Sequence, residues 1–162
     1  MSPHIRNGLG FDAHRFADES DPKPLFLALL NWDGNGIEGD SDGDVVAHAL
    51  IDAMLSACSL GDIGTMFGVG KNSRGAGMHG DQMLRETVNR VRGEGFQLLS
   101  ASVSVIGNRP KIGSRRDEAM RALSMACGCP VSLTATTTDG MGFTGRGEGI
   151  AAIATVLVQS EQ

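Results

Sequence analysis

The chain has 162 residues, a formal net charge of −5 and three cysteines; this length fits one domain, residues 1–162. The acidic balance excludes a general affinity for nucleic acid, which needs clustered Lys and Arg to displace counterions. Met1–Arg6 lacks the charged and apolar regions of a secretory signal, and no apolar stretch nears the ~20 residues that cross a bilayer, so a cytoplasmic protein without a membrane partner is expected.

In chain order, Ile5–Phe16 and Leu25–Leu30 read as strands, followed by a Gly- and Asp-rich connection over 31–43. The Asp42-Gly43-Asp44 turn leads into a helix from about Val45 to Leu60, with Asp44 as N-cap and Gly61 where a left-handed C-terminal residue is wanted. The Gly68–Gly80 stretch, rich in glycine and poor in apolar residues, reads as a mobile surface loop. A second helix starts at Asp81 and ends before Gly95, and Leu98–Ile106 reads as a strand. Ser114-Arg115-Arg116-Asp117 resembles a capping box, which opens a third helix running to about Cys127 and closed by Gly128. Val131–Thr138 and Ile150–Val158 are the remaining strands, joined by a tight loop over 139–147. Strands separated by helices imply an α/β (α+β) fold, a small mixed sheet with helices on one face. The last strand is apolar on both faces, so its second face needs a cover that another subunit can supply. Cys58, Cys127 and Cys129 lack Cys-x-x-Cys spacing and read as buried thiols rather than disulfides or zinc ligands.

Two regions carry chemistry. Asp12 and His14 lie two apart on a strand and share a face, while His48 and Asp52, four apart, share a face of a helix. Two histidines and a carboxylate converging on one point make up the ligand count of a catalytic zinc site with an open fourth position. The competing reading is a hydrogen-bonded core histidine. Asp52 reads either as a residue that orients a ligand or as a solvated or capping acid. The second region, Thr136 to Gly149, combines threonine hydroxyls, backbone N–H groups near glycines and Arg146, a plausible phosphate cradle in which Asp139 can hold a hard cation. A β-turn closed by an Arg146–Glu148 ion pair is an equal alternative. Gly107–Gly113 offers Lys111 and backbone groups to a ligand, with Pro110 stiffening it, and otherwise reads as a loop.

FDAHRF, SDGDVVAHALIDA, LGDIG, GNRPKIG and ATTTDGMGFTGRGEGIA together resemble the 2-C-methyl-D-erythritol 2,4-cyclodiphosphate synthase family of the non-mevalonate isoprenoid pathway, and the resemblance spans nearly the whole chain. It implies a homotrimer with sheets facing the three-fold axis and an active site at each subunit interface. It also implies that Asp12, His14 and His48 bind zinc, and that Asp139, where a glutamate is common, binds a second ion, magnesium or manganese. Thr137 matches a position that stabilises the transition state, beside Thr136 and Thr138 in the phosphate site. Asp12, His14, Asp40, Ser41, Asp62 and Gly64 match substrate-contacting positions. Gly107, Arg109, Pro110, Lys111, Ile112 and Gly113 match the cytidine pocket given by the neighbouring subunit. Phe143 and Arg146 match ligand contacts, and Arg146 with Glu148 lies near the axis where an isoprenoid diphosphate can sit. The implied reaction turns 4-diphosphocytidyl-2-C-methyl-D-erythritol 2-phosphate into the cyclic diphosphate and CMP.

Three positions depart from the family pattern. Asp40 stands where a histidine that helps stabilise the reacting phosphates is usual, so a catalytic role for it carries an unfavourable negative charge beside phosphate. Gly68–Ser73 replaces an acidic loop, and Thr134 replaces a common lysine. Two other functions compete on sequence alone: a zinc-dependent phosphohydrolase in which the metal activates water, and a weakly active trimer that binds a diphosphate or isoprenoid ligand.

Overall fold

The computed structural model describes residues 4–160. The ends of the expected 1–162 domain, including the first three residues of the segment read for a signal, lie outside the described residues. Strand β1 (His4–Arg15) is followed by the short strands β2 (Leu25–Leu27) and β3 (Leu30–Trp32), then helices α1 (Val45–Cys58), α2 (Ile63–Phe67) and α3 (Gly80–Gly93). Strand β4 (Phe96–Ile106), a 3₁₀ turn over Ile112–Arg115, helix α4 (Arg116–Cys127) and strand β5 (Val131–Thr136) follow, and the four-residue helix α5 (Gly142–Gly145) precedes β6 (Gly149–Ser160). The main sheet has the order β1-β6-β4-β5, antiparallel except for the parallel β4–β5 pair that α4 connects. This is the expected mixed α/β architecture.

The close approach of α1 to β1 is set by two glycines. A Cβ at Gly8 would collide with Ala53 and Ala57, and one at Gly10 with the Ala49 carbonyl and, at 2.7 Å, the Ala53 amide. With no side chain there, α1 lies directly on the strand, and alanines at 49, 53 and 57 complete the contact. Residues of β1 alternate about the sheet, so Asp12 and His14 continue the face that Gly8 and Gly10 turn to α1. The opposite face is open: Ile5, Leu9 and Phe11 are 63, 61 and 56 % exposed, and Phe11 stands opposite the half-exposed Ile153. Thr134 lies on this open face beside Ser104, far from the histidines. No helix among the described residues is long and apolar enough to cross a membrane.

Four local expectations are corrected. Leu25–Leu30 is a hairpin rather than one strand, because Ala28 and Leu29 turn with positive φ (52° and 66°). Their N–H groups both donate to the Asp44 carboxylate, at 3.0 and 2.8 Å. That carboxylate also caps α1 by accepting from Val46 and Ala47, so four backbone donors converge on one buried side chain. The left-handed residue ending α1 is Ser59, before the expected Gly61. The Ser114 capping box does not form; the Ser114 hydroxyl donates to the Lys111 carbonyl, and Arg115 binds Glu118. Val131–Thr138 stops pairing at Thr136.

Candidate active site

Asp12, His14 and His48 converge. The Asp12 Oδ2 lies 2.9 Å from His14 Nε2 and 3.0 Å from His48 Nδ1, and one donor atom from each of the three lies within 4.8 Å of the others. A tetrahedral cation with bonds of about 2.0–2.1 Å sets neighbouring ligand atoms roughly 3.3 Å apart, so the spacing and the N,N,O donor set both fit a metal ion. Burial pushes the Asp12 carboxyl up, but hydrogen bonds from His14 and His48 outweigh it and hold the group down at about 2. Burial likewise lowers His48, and the Asp12 carboxylate more than restores it, leaving the ring above its ordinary value. His48 is buried with both ring nitrogens hydrogen-bonded, as the core-histidine reading has it, and its Asp12 partner is at the same time a potential metal ligand.

The other His48 nitrogen, Nε2, lies 2.9 Å from the Ser41 hydroxyl. When Nδ1 carries a metal, the Nε2–H donates to Ser41 Oγ, which fixes the ring and its tautomer. Asp52, one turn further along α1, does not do this. Its carboxylate accepts from the Ile63 amide at 2.8 Å and holds the start of α2, which is the capping alternative of the two the sequence offered.

These residues form one wall of a cavity of about 180 Å³. Asp40, Ser41 and Gly64 join the three clustered side chains there, together with Ile63, Phe67, Val69, Ser73 and Met83. Of the last five, Ile63 belongs to the LGDIG motif, and the other four carry no motif in the sequence. Asp62 lies beside the cavity as the N-cap of α2, where the Thr65 amide draws its pKa down.

The threonine region sits elsewhere. Asp12 pairs with Ala152 of β6, which pairs with Val105 of β4, next to the Ile106–Thr136 pair at the end of β5. Both groups therefore lie at the same end of the sheet but on its opposite edges, separated by three strand spacings, or roughly 14 Å. Thr137 and Asp139 are exposed, and Thr137 Oγ1 donates to Asp139 Oδ1 at 3.4 Å. Thr138 is spent within the loop, with its hydroxyl 2.6 Å from the Met141 carbonyl and 2.9 Å from Thr144 Oγ1. The Thr136 hydroxyl donates to the Thr137 carbonyl.

In the loop after β4, the Gly107 amide donates to the Thr136 carbonyl, Pro110 follows a cis peptide bond, and Ile112 is buried. The Arg109 guanidinium lies 3.6 Å over the Phe16 ring and donates to the Asn35 carbonyl. Lys111 and Gly113 flank Ile112 at the start of the 3₁₀ turn. Phe143 and Glu148 line a separate cavity with His14, and Arg146 makes the expected pair with Glu148 at 3.0 Å.

The fold is thus a small α/β unit that carries a His₂–carboxylate cluster able to hold a metal ion at one edge of its sheet, and a polar threonine loop at the same end of the opposite edge. The chain belongs to the YgbB family, which it matches over residues 5–159. It is 60 % identical over 164 aligned residues to the 2-C-methyl-D-erythritol 2,4-cyclodiphosphate synthase of Bifidobacterium longum (strain NCC 2705), with 94 % of each chain covered. The bifunctional IspDF from Campylobacter jejuni superposes with a TM-score of 0.90 at 31 % identity, over 99 % of this chain and 44 % of that one. A 2C-methyl-D-erythritol-2,4-cyclodiphosphate synthase in its CDP-bound form gives a TM-score of 0.81 at 35 % identity, over 94 % of this chain and 99 % of that one.

Proposed function

We propose that this chain closes 4-diphosphocytidyl-2-C-methyl-D-erythritol 2-phosphate into 2-C-methyl-D-erythritol 2,4-cyclodiphosphate with release of CMP, as a cytoplasmic phosphorus–oxygen lyase of isoprenoid biosynthesis. The observation that carries this reading is the Asp12–His14–His48 cluster set in the cavity wall, in a chain 60 % identical to a protein of that name. In this reaction the 2-phosphate oxygen attacks the β-phosphorus, the bond from that phosphorus to the bridging oxygen breaks, and CMP leaves with the bridging oxygen. No protein nucleophile is required, so positioning and charge neutralisation are the whole task.

The reading assigns each residue a part. Asp12, His14 and His48 would hold a zinc ion and Asp139 a magnesium or manganese ion, which supply Lewis-acid neutralisation of the two anionic groups. Ser41 keeps the His48 ring in its ligating orientation. Thr136 and Thr137 would turn their exposed hydroxyls from the Thr137 carbonyl and the Asp139 carboxylate to phosphate oxygens, Thr137 donating to charge that develops during transfer. Asp62 and Gly64 border the sugar, and the 107–113 loop, with Lys111 exposed, receives the cytidine.

The separation of β1 from β5 supports a homotrimer, built from one cyclodiphosphate synthase domain per chain, in which the threonine edge of one subunit meets the metal edge of the next. The open face bearing Ile5, Leu9, Phe11, Ile153 and Leu157 is the surface turned to the three-fold axis, and Phe143 and Arg146 lie towards an isoprenoid diphosphate held there. Phosphorus NMR of the purified protein with the cytidyl substrate, zinc and magnesium tests the activity. Paired signals of a cyclic diphosphate together with CMP are expected; an open diphosphate, or no turnover, overturns it.

A further inference from the structure

The segment 68–79 has no regular secondary structure, and Gly68, Gly70 and Gly77 all take positive φ. Such a chain is costly to order, so its position depends on a few identifiable hydrogen bonds. Two of them end on one residue. The Gly70 amide donates to Asp40 Oδ2 at 2.8 Å, and the Gly77 amide donates to the Asp40 carbonyl at 2.7 Å. Asp40 therefore grips both limbs of the loop, and Asp42 secures its far end by accepting from Gly80.

The gripped loop forms part of the cavity wall through Gly68, Val69, Ser73 and Gly75. Val69 stands against Gly64, where an added Cβ would lie 3.3 Å from its Cγ2. The Ser73 hydroxyl is buried in that wall and has no hydrogen-bond partner, which leaves a donor unsatisfied unless a ligand meets it.

We propose that Asp40 is a positioning residue that clasps the 68–77 loop against the cavity, and that the unpartnered Ser73 hydroxyl turns out of the clasped wall to donate to an oxygen of the bound substrate. This rests on the proposed cyclisation for the identity of the ligand, and on hydrogen bonds alone for the clasp. The Asp40 carboxylate faces the Gly70 amide, so its charge is used on the protein rather than on a phosphate.

Hydrogen exchange of peptides covering 68–77, with steady-state kinetics, tests both parts in wild type, Asp40→Asn, Asp40→Ala and Ser73→Ala. Asp40→Ala is expected to raise exchange at Gly70 about tenfold and KM by a similar factor with kcat largely retained, since a hydrogen bond to a charged group is worth about that much. Asp40→Asn, which keeps an acceptor oxygen, restores both to within about threefold. Ser73→Ala raises KM without changing exchange. Equal losses of kcat in Asp40→Asn and Asp40→Ala at unchanged exchange would assign the carboxylate to the chemistry and overturn the clasp. An unchanged KM in Ser73→Ala overturns the ligand contact. Absence of turnover in wild type removes the cyclisation reading, while the exchange comparison still decides the role of Asp40.

Discussion

The His48 ring is held from both sides, by Asp12 at Nδ1 and Ser41 at Nε2. Ser41→Ala removes only the second contact. Partners of this kind are worth about 10- to 100-fold in metal affinity, so zinc titration by calorimetry is expected to show a loss in that range with an unchanged circular dichroism spectrum. A second prediction concerns the thiols. Burial pushes Cys58 up to about 11 and Cys127 up to about 12, and raises Cys129 as well. A raised thiol pKa means the native thiolate fraction is far below that of a free cysteine with pKa ≈ 8.5. Alkylation by iodoacetamide at pH 8 is therefore expected to be slow in native protein, to rise about tenfold per pH unit towards pH 11, and to become fast for all three cysteines in urea at constant pH. Fast native labelling at pH 8 would contradict the burial. At this scale the convergence of Asp12, His14 and His48 was legible in advance, because a two-residue spacing on a strand and a position on a helix each fix a direction. The Asp40 clasp was not, since its partners are backbone amides thirty or more positions away in the chain, and an amide leaves no mark in a sequence.

Between elements, the decisive contact is α1 on β1. Gly10→Ala would drive a methyl group into the Ala49 carbonyl and the Ala53 amide, and overpacking of this kind costs about 1–3 kcal/mol. A lower Tm is expected, along with weaker zinc binding, because the same displacement moves His48 away from Asp12. Helices α1, α3 and α4 were recognisable in the sequence from their caps and bounding glycines, the short α2 and α5 were not, and Asp44 was recognisable from its place before the first of them. Its second task escaped notice for a physical reason: the Ala28–Leu29 turn carries neither glycine nor asparagine, and positive φ there is sustained by a carboxylate that arrives sixteen residues later. The local sequence therefore reads as an uninterrupted strand. The 114–117 capping pattern misled in the opposite way, since Arg115 engages Glu118 and leaves Ser114 to the preceding turn.

For the whole molecule, the exposed apolar stripe centred on Phe11 and Ile153 is too extensive to be left in water without consequence. If the proposed trimer closes over this stripe, Phe11→Lys is expected to give monomers in light scattering while the far-UV spectrum persists, and to abolish cyclisation. Persistence of a trimer in that variant would place the interface elsewhere. The doubly apolar final strand gave notice of this surface, but nothing in the order of the residues told which edge of the sheet would meet which.

That arrangement of edges has a genetic consequence. If each pocket draws its histidines from one polypeptide and its threonines from another, two dead enzymes need not stay dead. Co-refolding His48→Ala with Thr137→Ala is expected to yield mixed rings in which some pockets receive intact halves from both parents, so activity reappears in the mixture though neither parent has any. Silence in such a mixture, with mixed rings verified by native mass spectrometry, would mean that every subunit works alone.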